Sequence, residues 1–216
     1  MKLLLKKECR LVLSPVQLLF LLLSGLLMIP NYPYFITFFY TGLGIFLMMQ
    51  AARENRDAAF MSVLPVSKRD MVRARLALAA LVELMQLASC VPFVLLRTYA
   101  VHMQNAVGME ANAAFLGVGA GMLGLFNRVF FPLHYKNGYD LGKPFLAATA
   151  VTALYMIAAE ALTHIPGIWF STVCESYAPA QQLHQLPLLA AGLAVFALLT
   201  LRAAQVSARR FASVDL

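Results

Sequence analysis

Six long apolar runs constrain this chain more than any other feature. They fall at about 16–30, 34–52, 76–96, 112–132, 144–165 and 186–206 of 216 residues, each bounded by Pro, Asn, Gly or a charge cluster. A bilayer core about 30 Å thick is crossed by roughly 20 apolar residues in a helix, so the runs predict six spans with short connections. None shows the alternating pattern of roughly ten residues that marks a membrane β-strand. The expected fold is therefore an all-α polytopic membrane protein, a single transmembrane domain over 1–216. Composition excludes the soluble alternative, because only 12% of residues are charged and the mean hydropathy is +0.74, against about 25% charged residues in soluble domains.

Charge then orients the spans. Every Lys and Arg except Arg97 falls on one side of a six-span arrangement, and that side is expected to be cytoplasmic, with both termini inside. The net charge of +7 is thus accounted for by topology and gives no reason to invoke nucleic acid. The start of the chain imitates a signal peptide, with the apolar run Leu18–Leu23 before Ser24-Gly25, yet five further runs and the cluster Lys6, Lys7 and Arg10 suit a retained anchor better. Cys9 is placed in the cytosol, Cys90 in the third helix and Cys174 in the last outer loop, so no two can easily pair.

Between the runs, local patterns suggest three further features. Residues 1–13 are too short and too charged to span. Leu3, Leu4, Leu11 and Val12 share one helical face and Lys2, Lys6, Lys7 and Arg10 another, as in a helix lying on the inner leaflet. The uncharged connection Pro30-Asn31-Tyr32-Pro33 implies a tight antiparallel hairpin, with Tyr32 and Tyr34 at headgroup level. The longest inner connection, Arg53–Arg75, has its own helical grammar. Ala59, Phe60, Val63 and Leu64 make an amphipathic turn stopped by Pro65, and Ser67 with Asp70 makes a capping-box-like start for the third span. A helix, a proline corner and a capped helix form a rigid elbow, although an ordinary surface loop has the same composition.

Polar residues inside spans need partners or a cavity. Glu83, Gln86, Cys90 and Arg97 form one stripe along the third helix, and Thr149, Thr152, Glu160 and Thr163 another along the fifth. Such stripes serve either a translocation surface or interhelical hydrogen bonding; packing is the favoured reading. Gly117, Gly121 and Gly124 have the small-xxx-small spacing of a close helix contact, either a dimer seam or an internal one. No GxxxxGK[ST] loop is present, so an ATPase would have to be a separate polypeptide. HExxH and CxxC motifs are also absent, the four histidines scatter over both sides, and no catalytic residue or metal site is assigned.

Two inner segments resemble the small six-helix ABC-2 type permeases. In Glu54–Arg75 the matching core is Ser62-Val63-Leu64-Pro65-Val66-Ser67-Lys68, and the second match runs from Phe131-Pro132-Leu133 through Lys136-Asn137-Gly138 to Asp140-Leu141-Gly142-Lys143. Val63 stands where Leu is common, and Asp140-Leu141 replaces the usual Glu-Lys. The resemblance implies two such membrane subunits, identical or homologous, above two ABC ATPase subunits that hold ATP and Mg. It further implies a coupling helix whose inserted face is Phe60, Met61 and Leu64, turned by Pro65. Between the last two spans it implies a partly re-entrant outer loop, here 166–185, with Trp169 and Phe170 at the interface. Among relatives, exporters of amphipathic toxin peptides such as phenol-soluble modulins have comparably small membrane subunits, which implies a bacterial exporter of an amphipathic peptide or other hydrophobic substrate. The alternatives are the substrate-binding subunit of a vitamin-type importer and a membrane-embedded enzyme.

Overall fold

The computed structural model describes residues 2–11, 15–63, 65–101, 105, 107–137, 140–176 and 182–213. They form nine α-helices: α1 (Lys2–Leu11), α2 (Pro15–Leu21), α3 (Ile36–Glu54), α4 (Asp57–Ser62), α5 (Lys68–Leu96), α6 (Ala113–Asn137), α7 (Gly142–Thr163), α8 (Trp169–Cys174) and α9 (Gln182–Ala212). A 3₁₀ stretch (Leu22–Met28) extends α2, and a π-turn (Arg97–Val101) extends α5. Among the described residues there is no strand, as the run pattern implies.

All six apolar runs are helical, but they are not equivalent as spans. Among the described residues, four helices are long and apolar enough to cross a membrane: α5 with its π-turn, α6, α7 and α9. The pair Leu4–Arg10 and Pro15–Met28, bent by 81°, makes a fifth if it is taken as one span. The second run, α3, has 19 residues and falls short of that measure, because any stretch of spanning length within it takes in Gln50 and Arg53.

Helix α6 is the axis of the bundle. Of its most apolar window, 83% is buried, against 17% for α7 and 11% for α9, which turn most of their apolar surface outward. The glycines of α6 explain its intimacy with α9. A Cβ on Gly192 would lie 1.9 Å from the Gly117 carbonyl oxygen, and one on Gly124 would lie 2.7 Å from the Phe196 Cα, so the two backbones touch where any larger residue would push them apart. The small-residue pattern therefore serves an internal contact of this chain; Gly121 is occupied by the Tyr155 hydroxyl of α7.

The hairpin between the first two runs is tight. Asn31 adopts φ 54°, a left-handed conformation that Asn tolerates, and Gln17 donates to the Gly44 carbonyl across the pair at 3.0 Å. Tyr34 is turned into the chain: it is 1% exposed, its hydroxyl donates to the Ile29 carbonyl, and the Arg97 guanidinium lies 5.0 Å from its ring centroid.

Candidate functional site

The basic end of the bundle carries the elbow. Helix α3 ends at Glu54, and Arg56 then takes φ 50° and ψ 36°, a left-handed turn that redirects the chain into α4. Asp57 opens α4 and supplies a favourable negative charge to its first turn. After Pro65 the chain enters α5 through a cap of the expected chemistry. The Ser67 hydroxyl oxygen accepts from the Asp70 N–H at 3.1 Å and donates to the Asp70 carboxylate at 2.8 Å.

What holds the elbow rigid is a buried ion network. Arg75, 7% exposed, pairs through Nε with Glu8 of α1 at 2.5 Å and through a terminal nitrogen with Asp57 of α4. Lys7 reaches the other Asp57 oxygen. The remote helix α1 is thus joined to the consecutive helices α4 and α5 by alternating charges, each matched by its neighbour. The basic face expected of α1 is only partly realised, since Lys7 turns inward, Lys6 and Arg10 are exposed, and Leu4, Leu5 and Cys9 pack on the core.

Above the network lies a cavity of about 330 Å³. Met49, Ala52, Met71, Val72, Tyr135 and Phe211 form its apolar walls, with His134, Glu8 and Arg75 at the buried side and Arg53, Arg56 and Ala59 at the exposed rim. The His134 Nδ1 stands 3.0 Å from the Asp140 backbone oxygen.

The sequence-derived candidates separate into different places. Phe60 is 64% exposed and Val63 85%, so α4 offers an apolar outer edge. Met61, expected on the inserted face, points the other way into the chain's own core at 3% exposure. Pro65 is exposed at the corner, and Leu64 lies outside the described residues. Glu83 and Gln86 are buried between helices. Asn127 of α6 donates to Glu83 at 2.6 Å and to Thr200 of α9 at 3.1 Å, while Gln86 donates to Ser24 at 2.7 Å. Glu83 and Gln86 are thus each tied to another helical segment of the chain, an arrangement suited to packing.

The remaining two candidates close the opposite end. Arg97 donates to the Leu27 carbonyl at 3.0 Å and pairs with Glu110 at 3.5 Å, and Glu160 accepts from the Met109 N–H at 2.9 Å. Burial pushes the Glu110 carboxyl above the usual carboxylate range, against the pull of the Asn105 N–H and of Arg97. Asn112 donates to the Cys174 and Ser176 carbonyls and Gln185 to those of Val173 and Ser176, so the C-terminal end of α8 is pinned between α6 and α9. Sequence reasoning missed Glu8, Asp57 and Asn127. The available signal was two carboxylates among basic clusters that are expected on the same side of the membrane.

Taken together, the helices and their apolar faces define a polytopic membrane protein with a structured elbow at its basic end. A family model described as ABC-2 family transporter protein matches residues 3–211, and the chain belongs to the ABC-2 transporter family. Such a chain is the membrane component of an ABC transporter, and membership implies an ABC ATPase as partner. No curated protein and no solved structure matches it.

Proposed function

We propose that this chain is the transmembrane permease subunit of an ABC exporter in a bacterial cell membrane, with six spans and both termini cytoplasmic. It pairs with a second membrane subunit, identical or homologous, and is driven by two copies of a separate ATPase. An amphipathic peptide or another hydrophobic compound is the substrate class. The observation that carries the reading is the exposed apolar edge of Phe60 and Val63 on a helix anchored by Asp57 to Arg75 and Lys7. ATP-driven closure of the partner is useful only through a stiff contact, and α4 combines an aromatic knob with a buried base.

The test uses the chain co-expressed with its ATPase and reconstituted into vesicles. Phe60→Ala should leave the bundle folded but weaken ATPase association, by roughly 2 kcal/mol for a buried aromatic anchor. Pro65→Ala should leave the ATPase bound while hydrolysis and export become poorly linked. Wild-type association, hydrolysis and export in both variants would reduce the elbow to a loop and remove the main structural support for this reading.

A further inference from the structure

The cavity at the basic end has walls and charges that a mere packing gap does not need. Its lining carries three guanidiniums, Arg53, Arg56 and Arg75, against two carboxylates, Glu8 and Asp57. Both carboxylates are engaged by Arg75, and Asp57 additionally by Lys7, so neither is left to neutralise the Arg56 guanidinium at the rim. Arg56 meets no carboxylate among the described residues.

Behind that rim the walls are apolar and deep, formed by Met49, Met71, Val72 and Phe211. We infer that the cavity is a binding site for a single-chain amphiphile with an anionic head, its chain lying among these residues and its phosphate or carboxylate against the Arg56 guanidinium. A planar guanidinium suits such a head, since it can donate two parallel hydrogen bonds to one oxyanion group. The volume, about 330 Å³, is at the lower end of the roughly 300–1,000 Å³ of small-molecule sites and is on the scale of one acyl chain. The inference uses the proposed cytoplasmic placement of this end only to identify the inner leaflet as the source. It does not require the coupling role of Phe60.

Binding is measured on the full chain purified in an uncharged detergent, with 1-oleoyl lysophosphatidate as probe. The comparison probes are 1-oleoyl lysophosphatidylcholine, which has the same chain and a zwitterionic head, and inorganic phosphate, which has no chain. Lysophosphatidate should bind about tenfold tighter than lysophosphatidylcholine, as expected for one charge-assisted contact, and inorganic phosphate should not displace it at matched concentration. Arg56→Gln should shrink that preference at least about threefold while leaving the zwitterionic probe unaffected. Ala59→Phe, placed at an exposed rim position so that folding is spared, should weaken both lipids. Equal affinity of the wild-type chain for the two lipids overturns the inference without reference to any variant. Displacement by inorganic phosphate alone would replace the amphiphile with a simple anion, and an unchanged preference in Arg56→Gln would remove the head group from this cavity. Because no ATPase takes part, failure here leaves the permease reading untouched.

Discussion

The Nε atom of Arg75 lies 2.5 Å from a carboxylate oxygen of Glu8, although 67 positions separate the two residues along the chain. Both side chains are almost fully buried, and Arg75 simultaneously holds Asp57. Removing one member strands the other charge, a loss of about 3–5 kcal/mol for buried pairs. We expect Arg75→Ala and Glu8→Ala each to lower the melting temperature of the detergent-solubilised protein sharply. The double replacement Glu8→Met with Arg75→Met should recover part of the loss, because a buried pair exchanged for apolar residues is often neutral. Single variants that melt with the wild type would show the network to be ornamental.

Helix crossing gives a second expectation. Gly192→Ala places a methyl group against the Gly117 carbonyl, and the α6 and α9 backbones have to separate. Overpacking of this kind costs about 1–3 kcal/mol. Gly25→Ala meets nothing within 4 Å and serves as the control, with unchanged stability. Equal melting of the two variants would contradict the close approach.

The Glu83 stripe is read as packing, and a double-mutant cycle measures that. Glu83→Ala and Asn127→Ala each remove the same 2.6 Å contact, so the pair should be non-additive, with a coupling of about 0.5–2 kcal/mol. Yield of folded protein should fall more than transport per folded complex. Normal yield with abolished transport in Glu83→Ala would make this stripe part of the translocation surface.

Thiol labelling has to take account of burial. Cys174 is fully buried at the end of α8, and that burial, with the carboxylates of Glu160 and Glu175 nearby, pushes its thiol up to about 12. At pH 8 the reactive thiolate is scarce and shielded, so an impermeant thiol reagent should leave Cys174 unmodified in intact cells and react only after denaturation. Thr172→Cys in a chain lacking the native cysteines is exposed on the same helix and should label from outside. Rapid native labelling of Cys174 would mean that α8 is not seated as described.

The parts of this fold that sequence reading reached are those whose cause is local. Apolar runs declare helices, Ser67 and Asp70 declare a cap, and glycines four residues apart declare a close neighbour without naming it. Glu8 and Asp57 were opaque for a physical reason: a carboxylate beside lysines and arginines reads as a solvated charge, and only the tertiary structure brings the two to Arg75. The partners of Tyr34 were equally hidden, since an aromatic at the end of a run gives no sign that Arg97 lies over its ring. Met61 failed by one helical step. In a six-residue helix both faces carry apolar side chains, and periodicity alone does not say which one the rest of the chain covers.

The glycine seam between α6 and α9 fixes a register as well as a distance. Each residue advances an α-helix by about 100°, so one residue inserted in α6 between Gly117 and Gly124 would carry the later glycine round the barrel of the helix and present a side chain to Phe196 instead. Sliding along the seam meets the same obstacle. The two helices are therefore keyed to each other like a shaft and its slot, and any rearrangement that opens and closes this protein has to carry them as one piece.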